Sequence, residues 1–366
     1  MRASAAKYIA VGLLSPLLLG AIWLWGKTLS TDISSRQSQP TKKSIELIPV
    51  AKRNEYGRYG FSDVAILESG EMWAVGYDGQ DPRRMWRSTD GGDTWLRVSI
   101  NSPGVILKAI DFVDSQHGWA VGGKGTIMAT SDGGKTWKQM RRPTWAALEE
   151  VSFVNLKFGY VAGSIGTYDR KTDTTTAGVE ILRTSDGGQS WQRCYRDDTS
   201  YNVWEIATLS EMTALAIMDA NRVLRTVDGG KKWHEVFFKL IGPQSIVFTK
   251  ARVGWMVGEK LFYKSTDKGF TWRTPQGIPC SLLEHDWWSI DFADENIGMA
   301  VSEDSAIALT NDGGQTWVDI TPNVGEALRG IRLQGQMGIV FGSQRLFHVT
   351  GLWRKIAHFQ VVQPVL

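Results

Sequence analysis

The chain is poor in cysteine and histidine and nearly balanced in charge, and each shortage removes a class of function. Two cysteines in 366 residues, Cys194 and Cys280, are too few for a disulfide framework or a thiolate zinc site. They stand far apart and predict two free thiols. Five histidines, at 117, 234, 285, 348 and 358, show no metal-ligand spacing, so neither metal nor cofactor is expected. A formal charge of +3 gives no case for nucleic acid, which wants a strongly basic face. No Gly-x-Ser-x-Gly elbow or P-loop occurs. With 42% hydrophobic and 22% charged residues, disorder is not the class.

Glycine and tryptophan, by contrast, are plentiful, at 39 and 17 residues. Six copies of one eight-residue phrase account for many of both: Ser88–Trp95 (STDGGDTW), Thr130–Trp137 (TSDGGKTW), Thr184–Trp191 (TSDGGQSW), Thr226–Trp233 (TVDGGKKW), Ser265–Trp272 (STDKGFTW) and Thr310–Trp317 (TNDGGQTW). Their closing tryptophans fall 42, 54, 42, 39 and 45 residues apart. Self-similarity at that period means one supersecondary unit copied along the chain.

The second copy is the cleanest. Leu107–Val113 alternates apolar and polar residues as a half-buried strand does. His117–Gly123, Thr126–Thr130 and Trp137–Met140 supply three more short strands. Four antiparallel strands per repeat is the propeller-blade pattern. Phe61–Gly76 completes a first blade, and Ile331–Trp353 keeps the rhythm of a seventh without its Asp. The reading is therefore all-β: a seven-bladed β-propeller of four-stranded blades over 44–366, with Ser44–Val50 as a clasp strand for the last blade.

The N-terminus carries a separate signal. Tyr8 to Gly26 holds 19 residues without a charge, between Lys7 and Lys27. As a helix it would span nearly the ~30 Å hydrocarbon core. No small-x-small cleavage site or lipobox cysteine follows it, which favours a transmembrane signal anchor over 1–27 against a cleaved signal peptide. Residues 28–43 are Ser/Thr/Gln-rich and form a polar tether. Either version exports the propeller, giving a membrane-anchored location on the extracytoplasmic (periplasmic or lumenal) side.

The phrase itself has a local explanation. Its Asp (Asp90, Asp132, Asp186, Asp228, Asp267, Asp312) accepts backbone N–H groups ahead in the turn between third and fourth strands. The Gly two positions later takes a positive φ, and the Trp covers apolar surface. Copies on successive blades cannot converge on one substrate, so these carboxylates are structural rather than catalytic.

These phrases resemble the BNR/Asp-box repeat shared by sialidases, sortilin-type receptors and photosystem II assembly-factor propellers. Gly118–Trp137 (GWAVGGKGTIMATSDGGKTW), echoed by Gly254–Trp272 (GWMVGEKLFYKSTDKGFTW), looks most like the photosystem II stability/assembly-factor group. The resemblance implies an extracytoplasmic, non-catalytic scaffold that binds membrane-protein precursors during assembly. That family's arginine patch cannot be carried over residue by residue, because only the repeat phrases match securely.

The alternative is an exported glycan-binding or sialidase-type glycoside hydrolase propeller. A sialidase needs three arginines, a Tyr–Glu nucleophile pair and an acidic donor, usually with Arg-Ile-Pro ahead of the first box. The only Ile-Pro pairs here, Ile48–Pro49 and Ile278–Pro279, lack the Arg. Tyr201 and Glu205 have a nucleophile pair's residue types, but the pattern places Tyr201 in a loop and Glu205 at the start of a strand.

Propeller topology puts a binding site at the channel mouth, on the face away from the boxes. Aligned on the first-strand Ile/Val, the blades present Ser62, Lys108, Glu149, Trp204, Gln244, Trp288 and Arg329 two residues earlier, with Tyr201 and Trp287 beside them. Tryptophan and arginine are favoured at protein interfaces. Two longer polar loops are placed on the same face: 164–178, and 77–84, which ends in Arg83 and Arg84 with Arg87 close by. The expected partner is a protein, such as a membrane-protein complex or its precursor, met by a monomeric propeller.

Overall fold

The structure, a computed structural model, describes residues 60–77, 84–101, 104–169, 174–219, 221–236, 242–320, 324–342, 345–350 and 358–360. The expected anchor over 1–27, the tether over 28–43 and the clasp strand Ser44–Val50 lie outside these residues, as do Arg83 and Trp353. Among the described residues, no helix is long and apolar enough to cross a membrane.

Seven antiparallel sheets follow one another along the chain, spanning 60–99, 107–139, 147–197, 203–236, 243–265, 287–319 and 328–360. Each is a meander in which the first strand lies innermost. The first strands contact one another in sequence, and Leu328–Gln334 of blade seven returns to Gly60–Ile66 of blade one, closing the ring. Blade five departs from the pattern. It has three strands, and its fourth is reduced to a bridge between Lys264 and Arg273, because Pro275 and Pro279 bracket the segment that follows. The expected polar insertion in blade three folds as an extra hairpin, Thr167–Asp169 against Thr174–Thr176.

The core lies between blades rather than within them. Trp73 and Val75 of blade one cluster with Leu107 and Ile110 of blade two. Ile339 and Phe341 of blade seven join Phe61, Val64 and Met72 of blade one. Each box tryptophan closes such a seam. Trp137 stands edge-on to Phe112 of its own blade (5.9 Å) and to Trp73 of the preceding blade (5.8 Å). Trp317 repeats this with Phe292 (6.1 Å) and Trp255 (5.5 Å). Edge-to-face contacts at these distances add to area burial.

The boxes themselves are capped twice. In the first, Asp90 Oδ1 accepts the Thr94 N–H at 2.9 Å and Oδ2 accepts the Thr94 hydroxyl at 2.5 Å. Ser88 Oγ accepts the Gly92 N–H at 2.8 Å and donates to Asp90 Oδ1 at 2.7 Å. The Trp95 indole N–H then donates to Gly92 O at 3.0 Å. Asp132 makes the same bonds, and hydrogen bonding to Thr136 lowers its pKa to about 2. The Asp thus accepts the turn's N–H and hydroxyl groups, and the leading Ser or Thr adds a second acceptor that the sequence pattern does not predict.

Candidate functional site

Every first strand slips its register by one residue at the same height. The residue left out of the ladder is Ser62, Lys108, Glu149, Trp204, Gln244, Trp288 or Arg329 in blades one to seven. A β-bulge of this kind leaves one residue unpaired and re-aims its side chain. Burial agrees: Lys108 is half-exposed between buried Leu107 and Ala109, and Arg329 is exposed between buried Leu328 and Gly330. The glycine that ends the second strand makes room for the bulge. A Cβ on Gly122 would lie 2.3 Å from Ile106 O, and one on Gly163 2.2 Å from Ala147 O.

The rim formed in this way is partly self-paired. Lys108 Nζ lies 3.5 Å from Glu149 Oε2 across the seam between blades two and three. The Arg329 guanidinium sits 5.7 Å from the Trp288 ring centroid across that between six and seven. Trp204 is 40% exposed and Tyr201 65%, so two neighbouring aromatics face solvent on blade four. Two expected members are elsewhere. Trp287 is fully buried against Phe262 and donates to Leu282 O at 2.8 Å, because it precedes the bulge and points into the blade. Arg87 sits at the box end of its strand, bonded to Glu71 at 2.6 and 3.0 Å and stacked over Trp73. Arg84 opens that strand, and the side chains of Arg83 and Arg84 lie outside the described set.

Below the rim, first-strand side chains staple each blade to the next. An innermost strand has unpaired N–H groups along its channel edge, and buried donors need partners. Asp63 accepts from Ile110 N (3.0 Å), Asp111 from Phe153 N (2.6 Å), Glu205 from Ile246 N (2.8 Å) and Asp291 from Leu333 N (2.7 Å). Ser152 and Ser289 do the same for Thr208 and Ile331. With Glu150, these carboxyls surround one cation, Arg332, whose Nη2 lies 2.8 Å from Asp63 Oδ1.

Two cavities, of about 310 and 240 Å³, run along these side chains. Arg332, Asp111 and Asp291 line both, and the larger reaches Thr249, Lys250 and Asp294 on the box face. None of the bulged residues lines either one, so this space lies beneath the rim.

Burial in so narrow a shaft outweighs the hydrogen bonds and Arg332. It raises Asp111 and Asp291 to about 6 and Glu205 to about 7, and lifts Glu150 well above the carboxylate range. Asp63 rises by the same cause, with Arg332 opposing. Part of each of Asp111, Glu150, Glu205 and Asp291 remains within reach of channel water. Among the described residues, no group of three or more His, Cys, Asp or Glu is arranged to hold a metal ion. Tyr201 and Glu205 do not meet as a pair: Glu205 is a staple in the shaft, while Tyr201 is exposed and donates its N–H to Asp219.

Residues 95–245, which carry the double-capped boxes and the bulged strands of blades two to four, match the family model for "Photosynthesis system II assembly factor YCF48". In these repeats the chain is similar to the photosystem II assembly-factor family. A photosystem II assembly lipoprotein Ycf48 from Synechococcus sp. (strain CC9902) is 30% identical over 192 residues, 51% of this chain and 49% of that protein. The chain thus spans about half the length of this curated relative. YCF48 from Cyanidioschyzon merolae shares the fold, with a TM-score of 0.61 at 16% identity over 85% of this chain and 99% of its own. The GH74 enzyme of Niastella koreensis shares it too, at TM-score 0.62 and 14% identity over 87% of this chain and 56% of that one. The frame alone therefore does not separate scaffold from hydrolase.

Proposed function

We propose that this chain is a non-catalytic, protein-binding propeller of the assembly-factor type. Its partner is an integral membrane protein or the precursor of a membrane complex. The N-terminal apolar segment tethers it to the membrane, with the propeller on the extracytoplasmic side. Paired Lys108 and Glu149, Gln244, Trp204, and Trp288 with Arg329 form the binding rim. The reading is carried by the bulge common to every first strand: seven unequal side chains, including two tryptophans and an arginine, released from ladder pairing around one opening.

Photo-crosslinking amino acids at Gln244 and Arg329, installed in the full chain in native membranes, test it directly. Crosslinks from these two sites to one integral membrane protein are expected, with none from Leu156 or Phe270 on the box face. Equal yields from both faces, or products containing no membrane protein, would remove the reading.

A further inference from the structure

On the rim face, blades two to four carry an aromatic and cationic surface that the rim does not use. Trp145 is 77% exposed, and a tryptophan left so open on a folded surface is unusual. It lies in the connection that crosses from the outer strand of blade two to the inner strand of blade three. The Arg142 guanidinium stacks on it, 4.4 Å from the ring centroid. Tyr201, 65% exposed, occupies the corresponding connection into blade four.

Two further cations belong to this connection and to the turn packed against it. Arg141 is exposed, and Lys124 occupies an exposed left-handed turn (φ 56°). This turn abuts the Trp145 connection: Gly125 N–H donates to Ala146 O at 2.6 Å, and a Cβ on Gly125 would lie 3.1 Å from Arg142 Cγ.

The acidic groups around this patch have partners: Asp197 pairs with Arg222, Asp198 with Arg196, and Asp219 accepts the Tyr201 and Asn202 N–H groups. Glu149 faces Lys108, and Glu180 accepts the Thr144 hydroxyl and faces Arg193. No carboxylate among the described residues pairs with Lys124, Arg141 or Arg142. On the other side of the ring the same face is mostly acidic, with Glu259, Glu284, Asp286, Glu303 and Asp304 exposed around blades five and six beside one exposed cation, Lys260, and with His285 against Asp304. The charge is therefore polarised across one face.

We infer that the rim face of blades two to four docks on a bilayer surface rich in anionic headgroups. Trp145 and Tyr201 sit at headgroup depth, and Lys124, Arg141 and Arg142 face the lipid phosphates. Indole and phenol rings favour the membrane interface, and basic side chains beside them add attraction to anionic lipid. A protein partner would equally accept aromatics. The three cations, which pair with no carboxylate among the described residues, favour lipid. The inference rests on the membrane-attached reading above. It adds to that reading an orientation, with the outer connections of blades two to four on lipid and the rim around the channel left to meet loops of a neighbouring membrane protein.

Hydroxyl-radical footprinting of the full chain in lipid nanodiscs tests this. In discs of phosphatidylcholine with phosphatidylglycerol, Trp145 and Tyr201 should oxidise more slowly than in phosphatidylcholine alone. Met212 and Phe270, exposed on the box face, should not change. Neutralising Lys124, Arg141 and Arg142 to Gln should reduce the protection by about fivefold per charge, as loss of one surface cation implies. Trp145→Ser should weaken it while the thermal midpoint holds. Equal oxidation in both lipids, or protection that survives the triple change, overturns the proposal. Protection that arises only when solubilised membrane proteins are added makes the patch a protein interface and also overturns it. If the chain does not stay with the discs, the attachment reading fails on its own. Sedimentation with vesicles of the same two compositions then decides docking: binding that needs phosphatidylglycerol and Arg142 sustains it, and no binding ends it.

Discussion

Arg332 of blade seven reaches across the last seam of the ring to Asp63 of blade one, Nη2 to Oδ1 at 2.8 Å. The same Asp63 accepts the Ile110 N–H of blade two at 3.0 Å, so one carboxyl joins three successive blades. Ring closure thus depends on a charged contact as well as on the apolar seam formed by Ile339, Phe341 and Phe61.

Arg332→Met leaves a group of carboxyls in the shaft without its cation. Removing one partner of a dry buried pair costs 3–5 kcal/mol, and access of channel water reduces this to about 2 kcal/mol. Urea unfolding should show that loss, and Asp63→Asn in the same chain should restore part of it. Simple additivity of the two changes would mean that they do not interact.

Stability should depend on pH in two windows of opposite sign. The shaft carboxyls bind protons more tightly folded than unfolded, since Asp111 and Asp291 rise to about 6 and Glu205 to about 7. Their contribution is complete below the ordinary carboxylate pKa and is lost as pH rises through 6 to 7. The box aspartates are shifted down, Asp132 to about 2, so their contribution is lost as pH falls below about 4. The thermal midpoint should therefore peak near the ordinary carboxylate pKa, at about pH 4. Glu205→Gln should flatten the alkaline limb and leave the acid limb alone; an unchanged alkaline limb would show that the shaft does not set it.

Asp132→Ala removes the acceptor for both the N–H and the hydroxyl of Thr136. A lower thermal midpoint is expected, with crosslinking at the rim unchanged. Unchanged stability combined with lost crosslinking would contradict a structural role for the boxes.

Gly134→Ala strains a residue at φ +82° and drives its Cβ to 2.2 Å from Trp73 Cζ2. Overpacking and left-handed strain each cost about 1–3 kcal/mol, so a combined loss near 3 kcal/mol should appear in denaturant unfolding. Gly166→Ala, whose Cβ would meet nothing within 4 Å, is the control and should fall within about 0.5 kcal/mol of the parent.

The blade frame was legible because period-two alternation and the box phrase recur together. Leu107–Phe112, Gly118–Gly122 and Thr126–Thr130 fall within a residue of the strands the pattern predicts. The rim column could be aligned from sequence, yet its physical cause could not. A bulge is a relation between two strands, and its only local trace is the glycine at positions such as Gly122 and Gly163. Trp287 was placed beside the rim because adjacency in sequence says nothing about the side of a strand once register slips. The shaft carboxyls were missed for a similar reason. Asp111 and Asp291 read as the polar half of an alternating strand, and only ring closure turns that half inward. The Trp145 patch was overlooked because its members come from different connections with no repeat phrase to align them.

A rim made of bulges separates what the propeller holds from what holds the propeller. The residue at each bulge carries no ladder bond, so exchanging Gln244 or Trp288 changes the surface without disturbing the strand's pairing. One scaffold can in this way be re-addressed to a new partner one blade at a time.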